Sequence, residues 1–314
     1  ASTGAVMALT QPDILTGAYV TADQLLSLRF RPTQAPQFAA GAITGTQAGL
    51  RLSKQKGRGV DFAEVRQYQP GDDIRSIDWR VTARKNLPHT KVFREERERP
   101  ALIFVDQSQH MFFGSTQRLK SVAAAELAAR VAWQITGNGD RVGGIVLDTT
   151  GQHMFRPFRT VKATGRMLTQ VASSNQQLSR PQAVAESGAA HLETALAALC
   201  QLRQRRNRLF IISDLAGSLQ LWREALHRLA RHHHVHVLHI TDPLEAELPP
   251  TGVYNISQGD ESLSFYSGDK TLRKRYADTH AERAADIKEI CRHPAVSLQE
   301  LSTANTHWDH LNWA

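Results

Sequence analysis

The sequence has little cysteine and no long apolar stretch, and both features narrow the class of protein. Cys200 and Cys291 are the two cysteines among 314 residues, and their separation matches no metal-binding or disulfide pattern. A reducing cytoplasm is therefore the expected compartment. No run approaches the roughly 18 uninterrupted apolar residues that cross a bilayer, and the start lacks a secretion signal. We expect no transmembrane segment, which leaves a soluble chain or one attached peripherally to a membrane.

Common catalytic signatures are also missing from the sequence. It has no Gly-x-Ser-x-Gly nucleophile turn, no phosphate-binding loop, no dinucleotide fingerprint and no His-Glu-x-x-His helix. These absences favour a non-enzymatic binding protein. A metal-dependent hydrolase stays open as an alternative, because a bound divalent ion can activate water without any of these motifs.

The charge is positive but scattered along the chain. The formal net charge is +8, with 41% hydrophobic and 22% charged residues, a composition typical of folded globular proteins. The basic residues form clusters near residues 51–58, 203–208 and 273–275, and no aromatic residues are interleaved for base stacking. Nucleic-acid binding through these clusters is therefore the less favoured alternative, and solvated basic surfaces or an acidic protein partner are the favoured ones.

The chain divides into three predicted zones. Residues 1–44 read as a helix, near residues 22–28, followed by a linker. Residues 45–98 read as a smaller β-rich segment of short strands and long loops, with a turn at Gln69-Pro70-Gly71-Asp72. Residues 99–314 alternate between strand and helix patterns, which predicts one larger α/β domain.

The alternation of strand and helix patterns in the third zone predicts a doubly wound α/β fold with a mainly parallel sheet. The apolar run 101–105 is typical of a strand covered on both faces. Further strands are predicted at 142–147, 209–212, 235–240 and 295–298, and a hairpin at 252–267. Helices are predicted at 117–135, 162–172, 191–204, 222–231 and 272–291. Such strand, helix, strand repeats place helices on both faces of the sheet.

Two aspartates follow strands of this predicted sheet. Asp106 comes directly after the first apolar run, and Asp214 follows the run at 209–212. Ligands of such folds gather beyond the carboxyl ends of the strands, so both carboxylates are expected on one rim of the sheet. Oxygen ligands from separate loops suit a hard divalent cation.

Two stretches resemble a known bacterial family. Residues 68–79, YQPGDDIRSIDW, and the strand end at 106–110, DQSQH, are similar to the domain of unknown function 58 family, whose second half is von Willebrand factor A-like. The resemblance extends over roughly residues 45–300 and implies a protein-interaction module. It further implies a MoxR-type AAA+ ATPase as partner, an adaptor or assembly role toward a client, and an acidic partner side chain that completes the coordination of a bound cation.

The metal loops of the resembled domain are matched only in part. Asp106 and Ser108 match the first loop, Asp-x-Ser-x-Ser, and Asp214 matches the third loop. His110 replaces the second serine of the first loop, and Ala190 stands where the second loop should carry threonine. Thr194 lies one helical turn beyond Ala190.

Two interpretations of this departure remain open. In one, the site binds magnesium or manganese weakly or binds no cation, and Asp106 only caps its loop by accepting backbone N–H bonds. In the other, His110 joins Asp106, Ser108 and Asp214 as a ligand, with His191 nearby, and shifts the preference toward zinc, manganese or nickel.

Two further clusters have a structural interpretation. Asp72, Asp73 and Asp78 could form a metal or acid/base site, but interleaved arginines such as Arg66 and Arg75 predict ion pairs instead. The histidines at 232–234, 236 and 239 resemble a metal tract. They span a predicted helix end and strand start, where only alternate residues share a face, so a helix-ending role is favoured.

Overall fold

The computed structural model describes residues 14–30, 60–95, 100–178, 187–202, 207–258 and 261–305. These residues fall into two compact units. Residues 14–30 belong to the larger unit together with the residues from 100 onward, and residues 60–95 form the smaller unit. The boundaries predicted at residues 44 and 98 lie outside the described residues.

Helices and strands follow one another along the chain in this order: α1 (Ala22–Ser27), β1 (Val60–Gln67), α2 (Trp79–Lys85), β2 (His89–Glu95), β3 (Ala101–Asp106), α3 (Lys120–Gly137), β4 (Val142–Asp148), β5 (Gly151–Phe158), α4 (Val161–Gln177), α5 (Ser187–Cys200), β6 (Arg208–Ser213), α6 (Leu219–Ala230), β7 (His234–Thr241), α7 (Pro243–Ala246), β8 (Val253–Gln258), β9 (Glu261–Tyr266), α8 (Lys270–Ile290) and β10 (Val296–Ser302). Short 3₁₀ turns lie at Leu28–Phe30, Ile74–Ser76 and Gln109–Met111.

The smaller unit is a β-hairpin with a short helix in its connection. β1 and β2 pair antiparallel. The predicted turn is confirmed: the backbone N–H of Asp72 donates to the carbonyl of Gln69, and Gly71 has φ 109°, which glycine adopts without strain. Helix α2 was not predicted. Asp78 starts it by accepting hydrogen bonds from the backbone N–H groups of Arg80 and Val81.

A six-stranded sheet organises the larger unit and confirms the predicted doubly wound α/β fold. Its strand order is β10-β7-β6-β3-β4-β5. All neighbouring pairs are parallel except β4 with β5. The antiparallel edge strand β5 was not predicted. The hairpin predicted at 252–267 is confirmed as β8 and β9.

The predicted helix ends need correction in two places. Helix α3 begins at Lys120 rather than at Gln117, because Arg118 pairs with Gly17 in an isolated parallel bridge before the helix starts. Helix α5 ends at Cys200 rather than at residue 204. The remaining elements differ from the prediction mainly by extension, most clearly α4, which continues to Gln177.

Two apolar cores cover the two faces of the sheet. Every residue of β3 is buried, as its continuous apolar run predicted. One core joins the sheet to α1, α3 and α4, and the other joins it to α5, α6 and α8. The N-terminal segment belongs to the first core, where Leu25 is buried and its carbonyl accepts from the indole of Trp133 at 2.9 Å.

Candidate functional site

The carboxyl ends of β3 and β6 bring Asp106 and Asp214 to one rim of the sheet. Both carboxylates are buried. Asp106 accepts from the backbone N–H of Ser108 at 2.9 Å and from the hydroxyl of Ser213 at 2.7 Å. The first of these bonds is the loop-capping role that the sequence suggested for Asp106.

A buried lysine joins this rim and was not singled out in the sequence. The Nζ of Lys120, the first residue of α3, lies 2.7 Å from Oδ2 of Asp214 and 2.5 Å from Oε1 of Glu245 in α7. The side chain of Lys120 is 4% exposed. One ammonium group therefore connects the segments that follow β3, β6 and β7.

Burial and charge set the protonation of these groups. Burial raises the pKa of Asp106, and the negative charge of Asp214 raises it further. Burial alone would raise the pKa of Asp214, but the ammonium of Lys120 outweighs it and holds that pKa below its usual range. Burial opposes the charge of Lys120, yet Asp214 and Glu245 bring its pKa above its usual range. Asp214 and Lys120 thus form the stable ion pair, and Asp106 carries the unfavourable charge.

The other predicted ligands lie at the edge of this arrangement. Ser108 is partly buried and also hydrogen bonds to Asp106 through its side chain. His110 is exposed in the 3₁₀ turn, close enough for its charge to act on Asp214. The first and third loops therefore converge as the sequence predicted.

The second loop contributes nothing comparable from its described residues. Ala190 is exposed within α5 and offers no side-chain oxygen. The hydroxyl of Thr194 donates to the carbonyl of Ala190 at 2.8 Å, inside its own helix. His191 is partly buried, and its Nδ1 has no hydrogen-bond partner.

Protein donors already contact the rim carboxylates where a divalent cation was predicted. Within the described ranges, no group of three or more histidine, cysteine, aspartate or glutamate residues is arranged to hold a metal ion. The oxygens of Asp214 already accept from Lys120 and from the backbone N–H of Ala216. Cation binding by Asp106, Ser108, His110 and Asp214 stays a prediction for direct measurement.

The missed residues carry a weak signal in the sequence. A lysine at the first position of a helix faces the positive end of the helix dipole, which disfavours it unless a carboxylate lies nearby. Glu245 belongs to a capping box, in which Asp242 caps α7 and Glu245 bonds back to the N–H of Asp242. The box was recognisable in the sequence, but its link to Lys120 was not.

An open cleft borders the same rim. Its volume is about 390 Å³, and it lies between α8 and the ends of β6 and β7. Asp214, His239 and Glu245 are among the residues that line it, and α8 contributes cationic and aromatic side chains, among them Arg275, Tyr276, His280 and Arg283.

The aspartate cluster of the smaller unit is structural. Arg66 pairs with Asp72 at 2.7 Å, as predicted. Asp73 accepts from the backbone N–H of Arg75, and Asp78 caps α2 and lies 3.5 Å from the ammonium of Lys91. The predicted arginine pair is therefore confirmed for Asp72, whereas Asp73 accepts from a backbone N–H and the cation beside Asp78 is a lysine.

The histidine tract is integrated into the sheet. His233 accepts from the backbone N–H of Asn207, and His236 stacks on Phe210 with ring centroids 4.9 Å apart. The Nδ1 of His236 lies 2.8 Å from the hydroxyl of Ser297 on β10. These contacts give His233 and His236 packing roles.

The chain has the predicted turn at residues 69–72 and a doubly wound α/β sheet. Two carboxylates lie at the carboxyl ends of its strands, where folds of this kind bind ligands. Residues 64–286 match the family model described as "Protein of unknown function DUF58", and the chain belongs to that family. Its relatives include "Uncharacterized protein Rv1480" of Mycobacterium tuberculosis and "Uncharacterized protein Mb1516" of Mycobacterium bovis. Each is 31% identical over 295 residues, which cover 93% of this chain and 89% of the relative.

Solved structures similar to this chain include the conserved hypothetical protein BatB from Bacteroides thetaiotaomicron, with 15% identity and a TM-score of 0.34 over 62% of this chain and 100% of that one. The SpRpn10 VWA domain is 12% identical, with a TM-score of 0.34 over 65% of this chain and 88% of that one. No helix in the described part of the chain is long and apolar enough to cross a membrane.

Proposed function

We propose that this protein is a non-enzymatic protein-interaction module that binds an acidic segment of a partner at the cleft beside the rim. The observation that carries this proposal is the cleft itself, to which α8 contributes Arg275, His280 and Arg283, while its acidic residues Asp214 and Glu245 are already paired with Lys120. Charge complementarity of this kind favours a partner that presents carboxylates.

The state of the rim carboxylates supports binding over hydrolysis. Asp106 is engaged by Ser108 and Ser213, and Asp214 and Glu245 are engaged by Lys120. A general base must reach the proton that it removes. Carboxylates held in this way are poorly placed to activate water.

The basic clusters give little support to nucleic-acid binding. Arg208 pairs with Asp140 at 2.6 Å, and Arg273 donates to the carbonyls of Leu248, Pro249 and Ser267. These cations serve the fold. The clusters at 51–58 and 203–206 lie outside the described residues.

A more specific proposal names the partner and the cellular compartment of this interaction module. The family resemblance implies a MoxR-type AAA+ ATPase, and we propose that this chain acts in the cytoplasm, where ATP is available, as an adaptor or assembly factor for a client of that ATPase. The dependence of this binding on a divalent cation is a separate question, because α8 itself presents the cations Arg275 and Arg283 to the cleft.

Binding of the purified MoxR-type ATPase from the same organism tests this proposal. The full chain is immobilised, and the affinity is measured by biolayer interferometry for the wild type, Arg275→Glu and Lys274→Glu. Arg275 lines the cleft, whereas Lys274 is its exposed neighbour and does not. We expect Arg275→Glu to weaken binding about tenfold or more and Lys274→Glu to change it little.

Two outcomes would count against the proposal. Equal losses in both variants would show a general charge effect rather than docking in the cleft. Absence of binding by the wild type, with correctly folded protein on both sides, would remove the MoxR-type ATPase as the partner.

A further inference from the structure

The ammonium of Lys120 lies where carboxylates from two loops converge. It donates to Asp214 at 2.7 Å and to Glu245 at 2.5 Å, while its side chain is almost fully buried. The ring of Phe113 lies 5.5 Å from the same nitrogen, measured to the ring centroid. Lys120 is therefore enclosed by two carboxylates and an aromatic face, which stabilise a cation in a buried position.

The oxygens of the two strand-end carboxylates are already engaged. Asp214 accepts from Lys120 with one oxygen and from the backbone N–H of Ala216 with the other. Asp106 accepts from Ser108 with one oxygen and from Ser213 with the other. A divalent ion bound by Asp214 would have to compete with the ammonium charge of Lys120, which already lies 2.7 Å from that carboxylate.

We propose that the ammonium of Lys120 is the resident cation of this rim and takes the place that a divalent ion would need. It neutralises Asp214 and links the segments after β3, β6 and β7 without any exchangeable ion. A metal ion offers an open coordination position to a partner's carboxylate. The ammonium of Lys120, with the ring of Phe113 beside it, offers no such position. The contacts of Lys120 with Asp214 and Glu245 therefore form a clamp, meaning a permanent link between segments that no ligand opens or closes.

This inference goes beyond the proposed function and does not depend on any partner. Its test measures cation binding and thermal unfolding of the purified full chain alone. A failure to bind the ATPase would leave it unaffected, and its own failure would leave the acidic-segment proposal standing.

Calorimetric titration with magnesium, manganese and zinc, paired with thermal unfolding, provides the test. We expect the wild type to show no saturable binding at the rim and no change of Tm with a chelator. Lys120→Ala leaves the buried carboxylate of Asp214 and the partly exposed carboxylate of Glu245 without their counter-charge, so its Tm should fall by about 10 °C. Magnesium or manganese should restore part of that loss, because the vacated position lies between the carboxylates of Asp214 and Glu245.

Two variants serve as controls. The double variant Lys120→Ala/Asp214→Ala should not be rescued by any of the three cations. Lys288→Ala, which removes a lysine that lies exposed on α8, should keep the wild-type Tm and show no response to metal.

Stoichiometric binding of a cation by the wild type, lost in Asp106→Ala, would overturn the proposal. Absence of any metal rescue in folded Lys120→Ala would overturn it as well. If Lys120→Ala does not fold, the wild-type titration still decides, together with Glu245→Gln. That variant weakens the clamp from its partly exposed side and should lower the Tm by a few degrees, and an unchanged Tm would contradict the clamp.

Discussion

Glu126 and Arg118 form an ion pair at 2.9 Å in which neither side chain has any exposed surface. The same carboxylate oxygen accepts from the backbone N–H of Leu15, and the other oxygen accepts from Arg130. Arg118 also donates to the carbonyls of Thr303 and Asn305. A single buried glutamate thus fastens the N-terminal segment to α3, and its partner Arg118 reaches the residues after β10.

Replacement of Glu126 should destabilise the protein strongly. Glu126→Gln keeps the shape of the side chain but leaves Arg118 buried without its counter-charge, which costs about 3–5 kcal/mol. Urea unfolding followed by circular dichroism measures this loss. Glu224→Gln, on the exposed face of α6, should change the free energy of unfolding by less than about 0.5 kcal/mol. Similar stability of the two variants would show that the buried network is dispensable.

The two strand-end aspartates should respond in opposite ways to neutralisation. Asp214→Asn removes the main partner of Lys120 and should cost about 3–5 kcal/mol. Asp106→Asn removes a buried charge whose pKa is raised by burial and by Asp214, so it should leave the Tm unchanged or raise it at pH 8. Thermal unfolding of both variants without added metal measures the contrast.

The pH dependence gives a second check on Asp106. Because its folded-state pKa is raised, the wild type gains stability as the pH falls through that value toward the unfolded value of about 3.8. Asp106→Asn lacks this gain, so its advantage over the wild type should shrink in acid. Equal destabilisation by Asp106→Asn and Asp214→Asn at pH 8 would instead indicate that both carboxylates are needed in their charged form.

His236 should make the protein sensitive to mild acid. Burial, with smaller effects of His234 and Arg208, lowers the pKa of His236 from 6.5 to about 4. Below about pH 6.5, His236 becomes protonated in the unfolded chain but stays neutral in the folded protein. The free energy of unfolding is therefore unaffected by His236 above that pH and declines as the pH falls toward 4. His236→Gln should flatten this decline in Tm measurements between pH 7 and 4.5.

A matched variant separates this effect from general acid unfolding. His234 lies two residues earlier on the same strand and is exposed. Its effect on the pKa of His236 is smaller than that of burial, so His234→Gln should retain most of the wild-type slope of Tm against pH. An identical slope in His236→Gln and the wild type would show that His236 is not responsible.

Much of the larger unit could be predicted because its signals are local. The apolar run of β3 and the alternation of strand and helix patterns depend on residues near one another in sequence, and each was found where expected. Strand β5 was missed because it is an edge strand whose residues are only partly buried along its length. An edge strand lacks the continuous apolar signal of a central one.

The sequence by itself determined the family, the doubly wound fold and the convergence of Asp106 with Asp214, because strand ends in a parallel sheet share one rim. Only the tertiary structure decided what meets these carboxylates. Lys120 lies 94 residues from Asp214 and 125 from Glu245 along the chain, and no local pattern reports a contact over such separations. Whether a carboxylate faces a lysine, a hydroxyl or a metal ion depends on packing between distant segments, which is the part of the site that the sequence left open.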